Sequence, residues 1–199
     1  MQNRTIRLSL LSVVLAVAAG AAQAATYATR IIDDETVYGT CTARPSSCSA
    51  NDRLAVENAL GETDGRFYSL GKGGYLTLGF DGASYGSGTL LTLEEVTFNG
   101  PARGNHYEAV DIYSVLSGVT TFVGTIFNTA KVSTIKIGQS FEHIRLVDVT
   151  TREYPTSSSF DGFDIDSVKI APVPVPAAGG LMLAGLLSFA MMRRRKAAA

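Results

Sequence analysis

The fold class of this chain is set by six residues, Tyr75-Leu76-Thr77-Leu78-Gly79-Phe80. Their side chains alternate in polarity, so Leu76, Leu78 and Phe80 fall on one face of an extended strand. The glycine-rich stretch 71–74 precedes this segment and the pair Asp81-Gly82 follows it, and both are typical of turns. The sequence therefore predicts a strand with one buried face, bounded by tight turns.

The same alternating pattern recurs through the middle of the chain. Segments rich in Val, Ile, Thr, Phe and Tyr are separated by turn-forming pairs such as Asn99-Gly100 and Ser117-Gly118. The further predicted strands are 109–115, 122–127, 132–137, 141–149 and 165–170. One segment, 51–60, has a weakly helical pattern. Many short strands predict a mainly β domain over residues 25–171, an antiparallel β-sandwich of jelly-roll type.

The net charge of −1 for all 199 residues conceals an acidic middle. Residues 25–176 hold all 18 acidic residues but 11 of the 17 Lys and Arg, which gives this part a net charge of −7. Such a surface repels phosphate backbones, so we expect no nucleic-acid partner. The acidic excess fits either a solvated, solubilising surface or the binding of a divalent cation.

Residues 1–24 have the three parts of a secretory signal peptide. Arg4 and Arg7 supply the positive start, residues 8–19 are apolar or small, and Ala22-Gln23-Ala24 is a small-x-small cleavage site. The alternative is a permanent membrane anchor, for which the apolar run is too short. We therefore predict that signal peptidase cuts between Ala24 and Ala25, and that the protein is exported.

Residues 172–199 have the composition of a membrane tail. The stretch Val173-Pro174-Val175-Pro176-Ala177 is predicted to be extended, because each proline fixes its own φ and restricts the residue before it. Residues 177–192 carry no charge and predict a short transmembrane helix. The basic cluster Arg193, Arg194, Arg195 and Lys196 is expected to stay in the cytoplasm, which leaves the middle domain outside.

This order of motif, apolar helix and basic cluster resembles the PEP-CTERM family of sorting signals, of the VPLPA variety. The resemblance implies processing by an exosortase, a membrane enzyme that cuts near the motif and transfers the protein to the cell envelope. Two alternatives remain open. One is a plain single-pass anchor on a proline-rich stalk, and the other is a rhomboid-type signal at Gly179-Gly180.

The middle of the chain also resembles a recurrent ectodomain of PEP-CTERM proteins. The matching segments are 58–61, 64–65, 69–78, 108–112, 145–148 and 162–168. The resemblance implies a lectin-like or discoidin-like sandwich with no established activity.

Cys41 and Cys48 are the two cysteines of the sequence. In an exported protein a disulfide between them is expected. Because the loop that it closes is short, we expect it to stabilise the fold by about 2–3 kcal/mol.

No stretch of the sequence has the pattern of a catalytic site, so we predict no catalytic residues and no enzymatic activity. There is no Gly-x-Ser-x-Gly motif, and residues 71–74 lack the spacing of a phosphate-binding loop. His106 follows Gly-Asn in a predicted turn and is expected to be exposed, whereas His143 lies within a predicted strand.

Asp164 and Asp166 are two residues apart on a predicted strand, so their side chains should point to the same side and repel each other. With Asp161 and Asp64 they are candidate ligands for a structural calcium ion that ties the last strand to an early loop. The alternative is a polar turn in which Asp164 accepts hydrogen bonds from backbone amides.

Two classes of function fit these features. The first is a structural or adhesive protein of the cell surface or extracellular matrix. The second is a carbohydrate-binding module that contacts surface polysaccharide through exposed aromatic side chains. The sequence contains no Trp, which leaves Tyr75, Tyr85, Tyr107 and Tyr113 as the candidate sugar platform.

Overall fold

A computed structural model describes residues 24–96 and 104–171 of the chain. The signal segment up to residue 23 and the whole tail 172–199 lie outside the described residues. The predicted sorting motif at 173–177, the helix at 177–192 and the basic cluster at 193–196 therefore lie there too. Within the described part, no helix has the length and apolar character needed to cross a membrane.

In residues 24–96 and 104–171, ten strands form two antiparallel sheets of five strands each. Sheet 1 contains β1 (Thr26–Tyr27), β3 (Tyr68–Ser69), β5 (Leu90–Glu95), β8 (Val132–Lys136) and β10 (Asp164–Ala171). Its order is β1-β10-β5-β8, and β3 pairs with the start of β10. Sheet 2 contains β2 (Arg30–Ile31), β4 (Tyr75–Gly79), β6 (Ala109–Leu116), β7 (Val119–Phe127) and β9 (His143–Asp148), in the order β2-β4-β9-β6-β7. The predicted mainly β, antiparallel architecture is confirmed.

The first and last strands of the domain lie side by side. Thr26 of β1 pairs with Ile170 of β10, and Tyr27 pairs with Lys169. The chain therefore enters and leaves the sandwich at neighbouring positions on one edge of sheet 1.

The helices are short. Those in the described part of the chain are α1 (Pro45–Cys48), α2 (Thr150–Glu153) and three 3-10 helices at Asp33–Glu35, Ala50–Asp52 and Val56–Ala59. The expectation of one helix over 51–60 is wrong. Asn51 and Asp52 both adopt a positive φ, which a right-handed helix does not allow, and the segment breaks there into two turns.

The strand predictions differ from the structure where alternation is weak. In β4, Leu76 and Leu78 are fully buried, as is Phe80 directly after it, so the predicted face is confirmed. Strand β5 was not predicted, although Leu91 and Leu93 point into the core on alternate positions. Strand β7 begins at Val119, three residues before the predicted start. The prediction missed these residues because the first half of β7 lies at an open edge and has no buried side chains, so its sequence does not alternate.

The predicted disulfide between Cys41 and Cys48 is present, with 6.0 Å between the two Cα atoms. Inside the loop that it closes, the Thr42 amide donates to the carbonyl of Phe160 at 2.8 Å. The disulfide loop is therefore fastened to the segment that leads into β10.

The core lies between the sheets and combines aromatic and aliphatic side chains. Its largest fully buried members include Phe80, Phe141, Phe163, Leu78 and Ile144. Leu78 and Ile144 are directly paired across β4 and β9, so they sit at the centre of sheet 2.

Truncation of Leu78 should destabilise the fold strongly. Leu78→Ala removes buried methyl groups and leaves a cavity, and we expect it to lower the free energy of unfolding by about 2–5 kcal/mol. The matched control is Leu54→Ala, because the Leu54 side chain is 44% exposed. Urea unfolding followed by tyrosine fluorescence measures both. Equal losses in the two variants would contradict this assignment of the core.

Candidate functional site

Three buried carboxylates meet at one end of the sandwich. Glu95 ends β5, Glu108 directly precedes β6, and Asp164 begins β10. One oxygen from each lies within 4.8 Å of the others. Asp164 was predicted as a metal ligand, whereas Glu95 and Glu108 were not. They converge because β5 pairs with β10, which sets Glu95 opposite Ile165.

The charge of this acidic cluster (Glu95, Glu108 and Asp164) has to be neutralised, because buried like charges disfavour ionisation. Burial, with the nearby charges of Asp164, Asp161 and Asp148, raises the pKa of Glu108 well above its usual range. A proton on Glu108 and a bound cation are two ways in which the negative charge of the cluster can be reduced. Carboxylate oxygens are the ligands that calcium prefers.

Asp161 has a cationic partner of its own. It accepts a hydrogen bond from Arg53, whose guanidinium lies 5.1 Å from the Phe67 ring centroid and 5.5 Å from that of Phe160. The Ser69 hydroxyl lies between Asp161, at 3.0 Å, and Asp164, its short hydrogen-bond partner. The structure thus brings Asp161 and Asp164 together around Ser69.

Asp166 lies against a different part of the chain. Its two oxygens accept the amide N–H groups of Asp64 and Gly65, each at 3.1 Å. The Asp64 carboxylate accepts the Arg66 amide at 2.8 Å within its own turn. The pairing of β10 with β5 is irregular between Ile165 and Ser167, so the alternation expected of a regular strand is interrupted at Asp166. Asp64 and Asp166 are therefore joined through backbone amides.

The two histidines have different environments. His106 is 20% exposed, and its Nε2 lies 3.1 Å from Glu108 Oε1, so the expectation of an exposed loop histidine is wrong. Its ring also packs edge-on against Phe160. His143 lies in β9, as predicted.

The raised pKa of Glu108 predicts a pH dependence of stability. The folded protein holds the Glu108 proton to higher pH than the unfolded chain does, so this contribution to the free energy of unfolding is lost as pH rises above the usual pKa of glutamate. Glu108→Gln cannot ionise, and we expect it to lose less stability than the wild type between pH 5 and pH 7.

Urea unfolding in EDTA at several pH values measures this difference. The pKa values of Asp148 and Asp166 are also raised, chiefly by burial, so part of the slope should remain in Glu108→Gln. Parallel pH profiles for the two proteins would contradict the prediction.

Calcium binding at this end of the sandwich stays a prediction. At ten times the dissociation constant, a bound ion would add about 1.4 kcal/mol to the free energy of unfolding. Thermal unfolding in EGTA, CaCl₂ and MgCl₂ should then show a shift of a few degrees with calcium and a smaller one with magnesium. Asp164→Asn should abolish the calcium shift.

Asp166→Asn locates the ion. A calcium shift that survives this substitution would place the ion at the acidic cluster, and its loss would favour the site predicted from the sequence. Equal melting in all three solutions would contradict calcium binding at either place.

A group of aromatic side chains lies on the surface at the same end of the sandwich. Tyr107 and Tyr154 stack with 5.2 Å between ring centroids, and Phe127 packs edge-on to Tyr154 at 5.9 Å. Tyr107 precedes β6, Phe127 ends β7 and Tyr154 follows α2. All three are partly exposed, and together they form what we term the aromatic platform.

Helix α2 holds a fixed arginine beside the aromatic platform. Arg152 donates to both oxygens of Asp111, at 2.7 and 2.9 Å, and its Nε donates to Glu153 at 2.6 Å. Burial would raise the pKa of Asp111, but hydrogen bonds from Arg152 and Thr125 lower it overall. These three hydrogen bonds fix the plane of the Arg152 guanidinium, and the side chain is 53% exposed.

The four tyrosines predicted as a sugar platform do not form one group: Tyr75 and Tyr113 both neighbour Arg145 on sheet 2, whereas Tyr85 and Tyr107 have other partners. Tyr75 faces the Arg145 guanidinium at 5.2 Å, and Tyr113 packs edge-on against Phe122. Tyr85 stacks on Phe141, and its hydroxyl accepts the Gly82 amide. Of the four, Tyr107 alone belongs to the aromatic platform. Phe127 and Tyr154 were missed, because the pairing of Ala109 with Phe127 across β6 and β7 is what brings them close.

No protein-family model matches this sequence, and no curated protein matches it. Among solved structures, the chain is similar to the CBM32 of AlyQ in complex with 4,5-unsaturated mannuronic acid, with 14% identity, a TM-score of 0.44, and coverage of 73% of this chain and 96% of that one. A CBM32 from Clostridium perfringens in complex with GalNAc-β-1,3-galactose has 16% identity, a TM-score of 0.42, and coverage of 66% and 92%.

A mutant of the lectin binding domain of Lectinolysin, complexed with Lewis b, has 8% identity, a TM-score of 0.40, and coverage of 59% of this chain and 83% of that one. Similarity this distant does not identify a ligand for this chain.

Proposed function

We propose that residues 25–171 form a non-catalytic carbohydrate-binding domain displayed at the cell surface, with the aromatic platform as its ligand site. One observation carries the proposal. The stacked pair Tyr107 and Tyr154 lies partly exposed beside an arginine, Arg152, whose orientation is fixed by Asp111 and Glu153.

This arrangement suits a sugar because a sugar ring has apolar C–H faces and a rim of hydroxyl groups. An aromatic ring covers the face, while fixed polar groups bond the rim. Arg152 has five N–H donors, of which three are directed at Asp111 and Glu153. The remaining donors are free to bond hydroxyl groups.

The loop that carries Tyr154 is held in place before any ligand arrives. The Ser157 amide donates to the Tyr154 carbonyl at 3.0 Å, and the Ser157 hydroxyl donates to the Tyr107 carbonyl at 2.5 Å. A site ordered in advance loses less conformational entropy on binding.

The charges favour a neutral saccharide over an acidic one. Asp111 and Glu153 balance the charge of Arg152, and the net charge of −7 over residues 25–176, from 18 acidic and 11 basic residues, repels polyanions.

Asp111 and Glu108, two carboxylates near the aromatic platform, are poorly suited to glycoside hydrolysis, which needs an accessible acid and a second carboxylate. The pKa of Asp111 is lowered by Arg152 despite its burial, so Asp111 stays ionised and cannot donate a proton. Glu108 has a raised pKa, but it is fully buried and out of reach of a surface ligand. Both observations support binding without catalysis.

Alanine at Tyr154 or Arg152 should weaken carbohydrate binding. We expect a glycan array to identify a neutral ligand, and each substitution to weaken it at least about tenfold by calorimetry, as is typical of aromatic and arginine contacts at binding sites. The matched control is Tyr27→Ala, because Tyr27 is a partly exposed tyrosine on sheet 1.

The control variant should bind like the wild type. Equal loss in Tyr27→Ala and Tyr154→Ala would contradict the site, and an array without any ligand would favour the structural or adhesive role.

We further propose that the chain is exported by its first 24 residues and sorted to the envelope by its tail. The support is the order of the segments, in which Val173-Pro174-Val175-Pro176-Ala177, the uncharged run 177–192 and the basic cluster 193–196 follow one another. The resemblance to PEP-CTERM signals adds the exosortase as the processing enzyme.

Neutral residues in place of Arg193, Arg194, Arg195 and Lys196 should reduce processing and surface display, while mass spectrometry should find a mature N-terminus at Ala25. Pro174→Ala with Pro176→Ala separates a sorting signal from a plain anchor, because an anchor needs hydrophobicity and not the motif. Unchanged processing of the charge-neutralised variant and of the double proline variant would contradict the exosortase proposal.

A further inference from the structure

Strand β7 forms an outer edge of sheet 2. It is nine residues long and, of the described strands, it pairs with β6 and no other. An edge strand presents a row of N–H and C=O groups that another strand can pair with, and natural proteins usually block such edges with charges, prolines or short length. Residues 112–130, which contain the whole of β7, carry no charge and no proline.

The other sheet edges are blocked in these ways. Strands β1 and β2 have two residues each. The long edge strand β8 follows Lys131 directly and ends at Lys136, so a positively charged side chain lies at each end of the strand. Strand β7 is thus the one long edge in the described part that has neither a charge nor a proline, and its irregularity opposite Ile112 and Tyr113 leaves residues 119–122 regular.

Exposed apolar side chains lie along the first half of β7. Val119 is 66% exposed and Phe122 is 54% exposed, with the exposed residues Thr120 and Thr121 between them. The pairing of β7 with β6 is regular over these four residues and becomes irregular after them, opposite Ile112 and Tyr113. The regular, exposed and uncharged part of the edge is therefore 119–122.

We propose that residues 119–122 pair antiparallel with the same residues of a second copy of this chain, which would join the two copies of sheet 2 into one continuous sheet. The net charge of −7, from 18 acidic and 11 basic residues over 25–176, makes two copies repel each other except where the contact surface is uncharged. This edge meets that condition.

Two-fold symmetry also suits the sequence of the edge. In a symmetric contact the same patch is presented by both copies, so apolar Val119 and Phe122 flank the axis on each side. The middle of the regular part lies at Thr120 and Thr121, and β-branched residues are favoured in paired strands. One of these two threonines should therefore lie opposite, or next to, its own copy.

Cysteine cross-linking of the full chain tests this pairing. Because Cys41 and Cys48 are joined to each other, a single new cysteine is the sole free thiol of the sequence. Under mild oxidation in detergent solution, Thr120→Cys or Thr121→Cys should give a disulfide-linked species of twice the monomer mass. The matched control is Thr134→Cys, at an exposed position of the other long edge, β8.

Substitution of Val119 by lysine is the second test of the β7 pairing. Val119→Lys in the cross-linking variant places like charges together in the dimer and should reduce the cross-linked fraction severalfold, with the melting temperature unchanged because Val119 is exposed. Cross-linking no greater than that of Thr134→Cys, or insensitive to the lysine, would overturn the proposal. A cross-linked species of another mass would assign the edge to a different partner and would also overturn it.

Discussion

The buried carboxylate of Asp148 is the group on which one end of the sandwich depends. It accepts the amides of Gly73 at 3.1 Å, Thr150 at 3.2 Å and Phe163 at 2.9 Å, and the Thr150 hydroxyl at 2.7 Å. Burial raises its pKa, and these donors partly offset that penalty. Because Asp148 fixes the turn before β4, helix α2 and the segment before β10, it positions both the aromatic platform and the acidic cluster.

Close backbone packing makes this arrangement possible. A Cβ atom on Gly162 would lie 2.6 Å from Asp148 Oδ2, and Gly162 has a φ of +73°. A side chain there would push the carboxylate away from its donors. Nearby, a Cβ on Gly74 would lie 2.0 Å from the Leu70 carbonyl oxygen. Gly74 was predicted as part of a turn, but the structure uses both glycines for close approach between separate parts of the chain.

The sequence predicts the strands with regular alternation and fails where the pattern is interrupted. Strand β4 alternates cleanly between apolar and polar residues. Strand β5 begins with two leucines and ends with two glutamates, so its sequence does not show which face is buried, and the buried Glu95 is not recognisable as a core-facing residue. The sites are harder still to predict. The acidic cluster exists because β5 pairs with β10, and Phe127 joins the aromatic platform because β7 pairs with β6. Such contacts depend on strand order, which local patterns do not encode.

The pairing of β1 with the end of β10 has a consequence for how the domain is held. Strand β10 begins with Asp164, beside the acidic cluster, and ends at Ala171, next to the entry of the chain. At about 3.3 Å per residue, the steps from Asp164 to Ala171 separate these points by roughly 23 Å. The described chain therefore enters and leaves the domain at the end remote from the aromatic platform, so the surface proposed to bind sugar lies away from both ends of residues 24–171.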